Sequence, residues 1–101
     1  MSQTGFDAVE RGLAFAKARA VVLAADATNA RTPGFQPVDI APDGERFGGL
    51  VVRALDASGT SGTIERSMAA SAQNSIQYRA LADQERAMLR EFKSAAEEAR
   101  R

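Results

Sequence analysis

Residues 5–30 read GFDAVERGLAFAKARAVVLAADATNA, and the fold of the chain turns on how that stretch repeats. It holds no proline, so one helix can run its whole length. Phe6, Val9, Leu13, Ala16, Ala20, Leu23, Ala27 and Ala30 recur at alternating spacings of three and four. That is the seam of a coiled coil. A second apolar line through Ala8, Phe15 and Val22 follows another face, with Ala14 and Val21 beside it, and within 18–25 only Arg19 is polar. A helix apolar on most sides is buried on most sides, and one partner helix cannot cover so much surface. Thr4, with Asp7 three positions later, is the expected N-cap.

Outward from this helix the pattern changes twice. Thr32-Pro33-Gly34-Phe35 stops it: Pro33 disfavours helical geometry at Thr32, and Pro-Gly fits the centre of a type II turn, with Gly34 at positive φ. Val38-Asp39-Ile40 and Leu50-Val51-Val52 favour strands and flank Pro42-Asp43-Gly44, which predicts a small hairpin. Residues 56–62 are small and flexible and read as a loop. From Ile64 onward no Gly or Pro interrupts a second helix, for which Thr63 is the expected N-cap and Glu65 a favourable first-turn acid. Its stripe is Ile64, Met68, Ser71, Ser75, Tyr78, Ala82, Glu85, Leu89, Phe92 and Ala96, with Leu81 and Met88 beside it. The expected fold is therefore mainly α. Two long terminal helices, 1–31 and 63–101, pack as a coiled-coil-like hairpin, with a turn and short β-hairpin or loop segment at 32–62 between them.

Composition excludes much chemistry. Basic and acidic residues balance at 13 each, so no overall field attracts nucleic acid or anionic lipid. The chain has no cysteine for a disulfide or thiolate metal site, and no histidine to act as ligand or general base. The start has no basic segment leading into an apolar run, so no cleavable secretion signal is expected. No stretch is apolar for long enough to insert in a membrane. Arg79, Arg86, Arg90 and Lys93 form a basic line, but Asp83, Glu85 and Glu91 interrupt it. Asp26 with Asn29, Asp39 with Asp43, Glu65 with Arg66 and Asp83 with Arg86 all fit solvated surface charges. No catalytic, cofactor-binding or metal-ligating set is expected, and the chain is read as a non-enzyme.

The helix boundary carries a recognisable string. Leu23-Ala24, Asn29 and Thr32-Pro33-Gly34-Phe35 resemble the N-terminal signature of the flagellar axial proteins, roughly Leu-Ala-x-Asn-Ile-Ala-Asn-x-x-Thr-Pro-Gly-Tyr/Phe. Asp26, Ala27 and Thr28 stand where that signature has Asn, Ile and Ala. On the second helix, Ile64-Glu65, Met68, Asn74, Tyr78 and Leu81 are similar to the C-terminal pattern of the proximal-rod branch of the family, with Ser67 at a position usually Glu. The resemblance implies a subunit of the flagellar basal-body rod in the periplasm. Such a subunit is exported without a cleaved signal by the flagellum's own apparatus, and it assembles with copies of itself and other rod proteins. The terminal helices would form the assembly interface through Phe6, Val9, Leu13, Ala16, Ala20, Leu23, Ala27, Met68, Tyr78, Leu89 and Phe92. The alternative is a stand-alone helical-hairpin adaptor or homo-oligomeric scaffold unrelated to the flagellum.

Overall fold

The computed structural model describes residues 3–44, 49–55 and 59–101, with side chains from residue 5 onward. Helix α1 spans Gln3–Asn29, strands β1 and β2 span Val38–Pro42 and Leu50–Ala54, and helix α2 spans Gly59–Ala99. The two helices run antiparallel against each other, and the two strands form an antiparallel hairpin between them, in the register Val38↔Ala54, Ile40↔Val52 and Pro42↔Leu50. The Asp43 N–H donates to the Gly49 carbonyl at 2.9 Å and closes the ladder at its far end. Strand β1 packs on α1, whereas every residue of β2 is exposed.

The helix pair is staggered so that Phe6 meets Phe92, with ring centroids 5.7 Å apart and planes tilted by 60°. Val9, Leu13 and Met88 form the buried centre of that end, with Phe6, Tyr78, Leu81 and Ala82 packed around it. Gly12 matters here: a Cβ at that position would lie 3.0 Å from Leu81 Cδ1, so its absence lets Leu81 lie on α1. Toward the other end Ala16 and Leu23 are buried, opposite Ala70, Ser67 and Thr63. At the end itself the Thr60 hydroxyl donates to the Ala30 carbonyl at 3.2 Å.

The corner after α1 has the geometry its sequence demands. Phe35 N–H donates to the Thr32 carbonyl at 3.1 Å, Pro33 and Gly34 hold the central positions, and Gly34 has φ 76°. Two boundaries differ from those read in the sequence. Helix α1 is already helical at Gln3, one residue before Thr4. Helix α2 begins at Gly59, so Thr63 is a buried residue inside it rather than its N-cap. Gly59, at φ 79°, makes the turn into the helix, and docking against the end of α1 stabilises a Thr-Ser-Gly-Thr segment of weak helix propensity. Of the predicted loop 56–62, residues 56–58 lie outside the described residues.

The stripe on α2 also moves. Thr63, Ser67, Ala70, Asn74 and Met88 are the buried residues of α2, so the seam lies beside the line read from the sequence. Met68 is 65% exposed, Leu89 and Phe92 are partly exposed, and Ser71 and Ser75 face out. On α1, Ala20 is exposed and Ala27 half-buried, while Val9, Leu13, Ala16 and Leu23 hold the predicted seam. Small polar side chains at the α2 seam let the backbones approach, which hydrophobicity alone does not signal.

The molecule measures 65 × 27 × 14 Å, one layer thick. Its radius of gyration is 17.9 Å, against the roughly 13 Å of a compact chain of this length. Leu23, fully buried, and Val21, 71% exposed, sit two residues apart on α1. Leu23→Ala is expected to cost about 3 kcal/mol through the cavity it leaves. Val21→Ala should stay within about 0.5 kcal/mol, as at other open surface sites. Urea unfolding followed by helical circular dichroism checks both, and equal losses would contradict the seam.

Candidate assembly surface

Four charged side chains from three elements meet where the hairpin joins the helices. Arg19 and Asp26 lie seven residues apart on one side of α1, Asp39 sits on β1 and Arg66 on α2. Arg19 holds Asp39 with a two-pronged contact, Nε to Oδ1 at 3.2 Å and Nη2 to Oδ2 at 3.1 Å. Arg66 Nη2 donates to the same Oδ2 at 2.8 Å. Its Nη1 lies 3.9 Å from Asp26 Oδ2, and the Val38 N–H donates to Asp26 Oδ1 at 3.2 Å. One carboxylate thus ties both helices to β1, and a second receives the backbone of the same strand.

The two acids answer this environment oppositely. Asp26 is only 1% exposed, and its pKa is raised: burial outweighs the Val38 hydrogen bond and the Arg66 charge, and the Asp39 charge adds to the rise. Asp39 is lowered: burial pushes it up, but the hydrogen bonds from Arg19, Ile40 N–H and Arg66, with the Arg19 charge, prevail. Two cations and two acids meet in this cluster and join the three elements. Asp26 and Asp39, read as solvated charges, are corrected by this joint, because packing carries partners distant in sequence to both of them. The signal available was Arg19, alone in an apolar run, with an acid two turns further along the same side. Asp83 and Arg86 do form the exposed pair expected of them, at 3.1 Å.

Arg19 and the hairpin flank the helix seam on one side. On the other side lies a groove of about 290 Å³, lined by Ala16, Lys17 and Ala20 of α1 and Ser71, Asn74, Ser75 and Tyr78 of α2. Asn74, 4% exposed, reaches across the seam, and its Nδ2 donates to the Ala16 carbonyl at 2.8 Å. Its Oδ1 has no hydrogen-bond partner. Seven residues along each helix from Lys17 and Tyr78, Glu10 and Glu85 meet. The Glu10 carboxyl is held above its ordinary range, first by its hydrogen bond with Glu85, then by desolvation and the Glu85 charge, with Lys17 opposing.

The residues of the sequence resemblance are thus distributed over the hairpin. Asn29 closes α1 by donating to the Ala25 carbonyl at 2.9 Å. Thr32, Pro33 and Gly34 are exposed on the corner and Phe35 is half-buried. Glu65 and Met68 face out, Asn74 is buried between the helices, and Tyr78 is half-buried at the groove. No protein-family model, curated protein or solved structure matches the chain.

The opposite shifts give opposite pH dependence. Asp26, raised on folding, contributes stability that is complete below the ordinary carboxylate range and is lost as pH rises through its raised value. Asp39, lowered, contributes stability present above that range and lost as pH falls through its lowered value. Urea midpoints taken from acid to neutral pH should therefore show Asp26→Asn gaining on the wild type as pH rises through the raised Asp26 value; parallel curves would rule this out. Asp39→Asn takes from Arg19 its carboxylate and from Arg66 the nearer of its two, and is expected to cost about 2 kcal/mol at neutral pH.

Proposed function

We propose that the chain is a structural subunit of the bacterial flagellar basal-body rod, in its proximal part, built into a helical tube through its two terminal helices. The corner after α1 carries this proposal. Thr32-Pro33-Gly34-Phe35 forms a hydrogen-bonded type II turn with Gly34 at φ 76°, immediately beyond a helix that is apolar on several sides and paired antiparallel with α2. That is the place and the shape that the resemblance requires of this string. The role is structural and not catalytic. Partners are copies of the chain and other rod proteins, reached in the periplasm after passage through the flagellar export apparatus. Among the described residues no helix is long and apolar enough to cross a membrane.

Surface area supports an assembled state. The chain exposes 7131 Å², whereas a compact monomer of 10.7 kDa exposes about 5,500 Å². The excess, about 1,600 Å², comes from the elongated, one-layer shape and leaves surface available to neighbours.

A Cβ added to Gly34 meets nothing within 4 Å, so Gly34→Val acts only through the positive φ, costing about 1–2 kcal/mol. The isolated chain should keep its helix content, yet a strain lacking the gene and complemented with Gly34→Val at matched protein level should fail to swim. Normal motility, or an unimpaired strain when the gene is deleted, would favour the stand-alone adaptor instead.

A further inference from the structure

The hairpin has two edges, and they are finished in opposite ways. The Leu55 N–H donates to the Pro37 carbonyl at 3.0 Å and the Asp43 N–H to the Gly49 carbonyl at 2.9 Å. In this register the odd-numbered residues of 37–43 and 49–55 turn their backbone groups toward each other, and the even-numbered ones turn theirs outward. On β1 every outward donor is accounted for. The Val38 N–H donates to Asp26 Oδ1 at 3.2 Å, the Ile40 N–H to Asp39 Oδ1 at 2.8 Å, and Pro42 has no N–H. That edge faces α1.

On β2 the outward groups are those of Leu50, Val52 and Ala54, and none has a hydrogen-bond partner among the described residues. The whole strand is exposed, Leu50 by 48% and Val52 by 65%. Leu50, Val52 and Ala54 present their side chains on one face of the strand, Val51 and Arg53 on the other. Arg53 is its one charge. An open, mostly apolar edge with unpaired donors and acceptors is a template for another strand.

We propose that the β2 edge pairs with the β2 edge of a second copy, antiparallel about a twofold axis through Val52. Outward residues must face outward residues, and the register Leu50↔Ala54, Val52↔Val52, Ala54↔Leu50 uses all of them, with a reciprocal pair of backbone hydrogen bonds at each position. The occupant is a second copy because the edge complements itself. Leu50 meets Ala54 and Val52 meets Val52 on one face, and Arg53 meets Val51 on the other, so no charge faces its like. The 13 basic and 13 acidic residues of the chain balance, so two copies approach without net repulsion. The joined sheet has the order β1-β2-β2-β1 and stops there, because both of its outer edges are β1 edges whose donors are already taken. The contact is closed and isologous. It stands on this edge and not on the rod role: subunits that all point one way along a tube do not meet about a twofold axis, so the pair describes the free chain. A five-residue strand buries less than the about 800 Å² per partner of a standard interface, so the pair is weak and best caught covalently.

The test uses the full chain, which has no cysteine of its own. In the proposed register the two Val52 Cα atoms lie about 5.5 Å apart, within reach of a disulfide. The two Ala54 residues stand four positions, about 13 Å, apart along the strands. Under mild oxidation at equal concentration, Val52→Cys should form a disulfide dimer at least tenfold faster than Ala54→Cys, or than Val21→Cys on the open face of α1. Leu50→Cys mixed with Ala54→Cys should couple as fast as Val52→Cys, although neither does so alone. Val52→Pro removes the central outward donor and no bond to β1. In sedimentation velocity it should stay monomeric at concentrations where the wild type dimerises, with helix content and urea midpoint near those of the wild type. Val52→Cys coupling no faster than Val21→Cys would overturn the pairing and leave the edge to a strand of another protein. Ala54→Cys coupling alone as fast as Val52→Cys would overturn the register. Val52→Pro associating like the wild type, or growth of the wild type beyond a dimer, would overturn the closed β2 contact.

Discussion

Two helices laid side by side have one inside, the seam between them, and every other feature of this protein follows from how little that seam can bury. Leu23, Val9, Leu13 and Met88 fill it, and Gly12 brings Leu81 within reach of α1. There is no third layer among the described residues. The apolar residues left over, Val21, Ile76, Met68 and the whole of β2, therefore stay at the surface. A chain that spreads its apolar residues around a helix while supplying only one partner helix leaves much of that surface uncovered.

The narrowness of the seam also explains its polar members. Ser67 and Asn74 are deeply buried where a coiled coil would place Leu. Their small size lets the helices approach, and Asn74 fixes the stagger by grasping the Ala16 carbonyl. Such a bond specifies register because a slide by one turn would leave the amide unpaired.

The hairpin is held differently, by charge. Asp39 accepts from Arg19 and Arg66 at once, so the orientation of β1 depends on both helices being in place. Asp26 receives the strand's first N–H from beneath. Removing either helix would leave a buried charge uncompensated, which makes the joint cooperative with the seam. The type II corner supplies the direction and the charge cluster supplies the anchor.

Much of this was legible in residues 5–35. The heptad from Phe6 to Leu23, the proline-glycine corner and the alternation of the strand runs follow from local stereochemistry, because period, φ restriction and turn propensity belong to neighbours in sequence. The sequence alone therefore determined two helices, a corner with Gly34 at positive φ and a small hairpin between. It did not reveal that Ser67 and Asn74, rather than Met68, face α1, because residues one position apart on a helix compete for the seam and closeness of approach decides between them. Nor did it reveal the joint of Arg19, Asp26, Asp39 and Arg66, the meeting of Glu10 with Glu85, or the groove beside Asn74. Those partners lie between 20 and 75 residues apart. Only the tertiary structure decided them, since charges and cavities acquire their meaning from what packing brings opposite them.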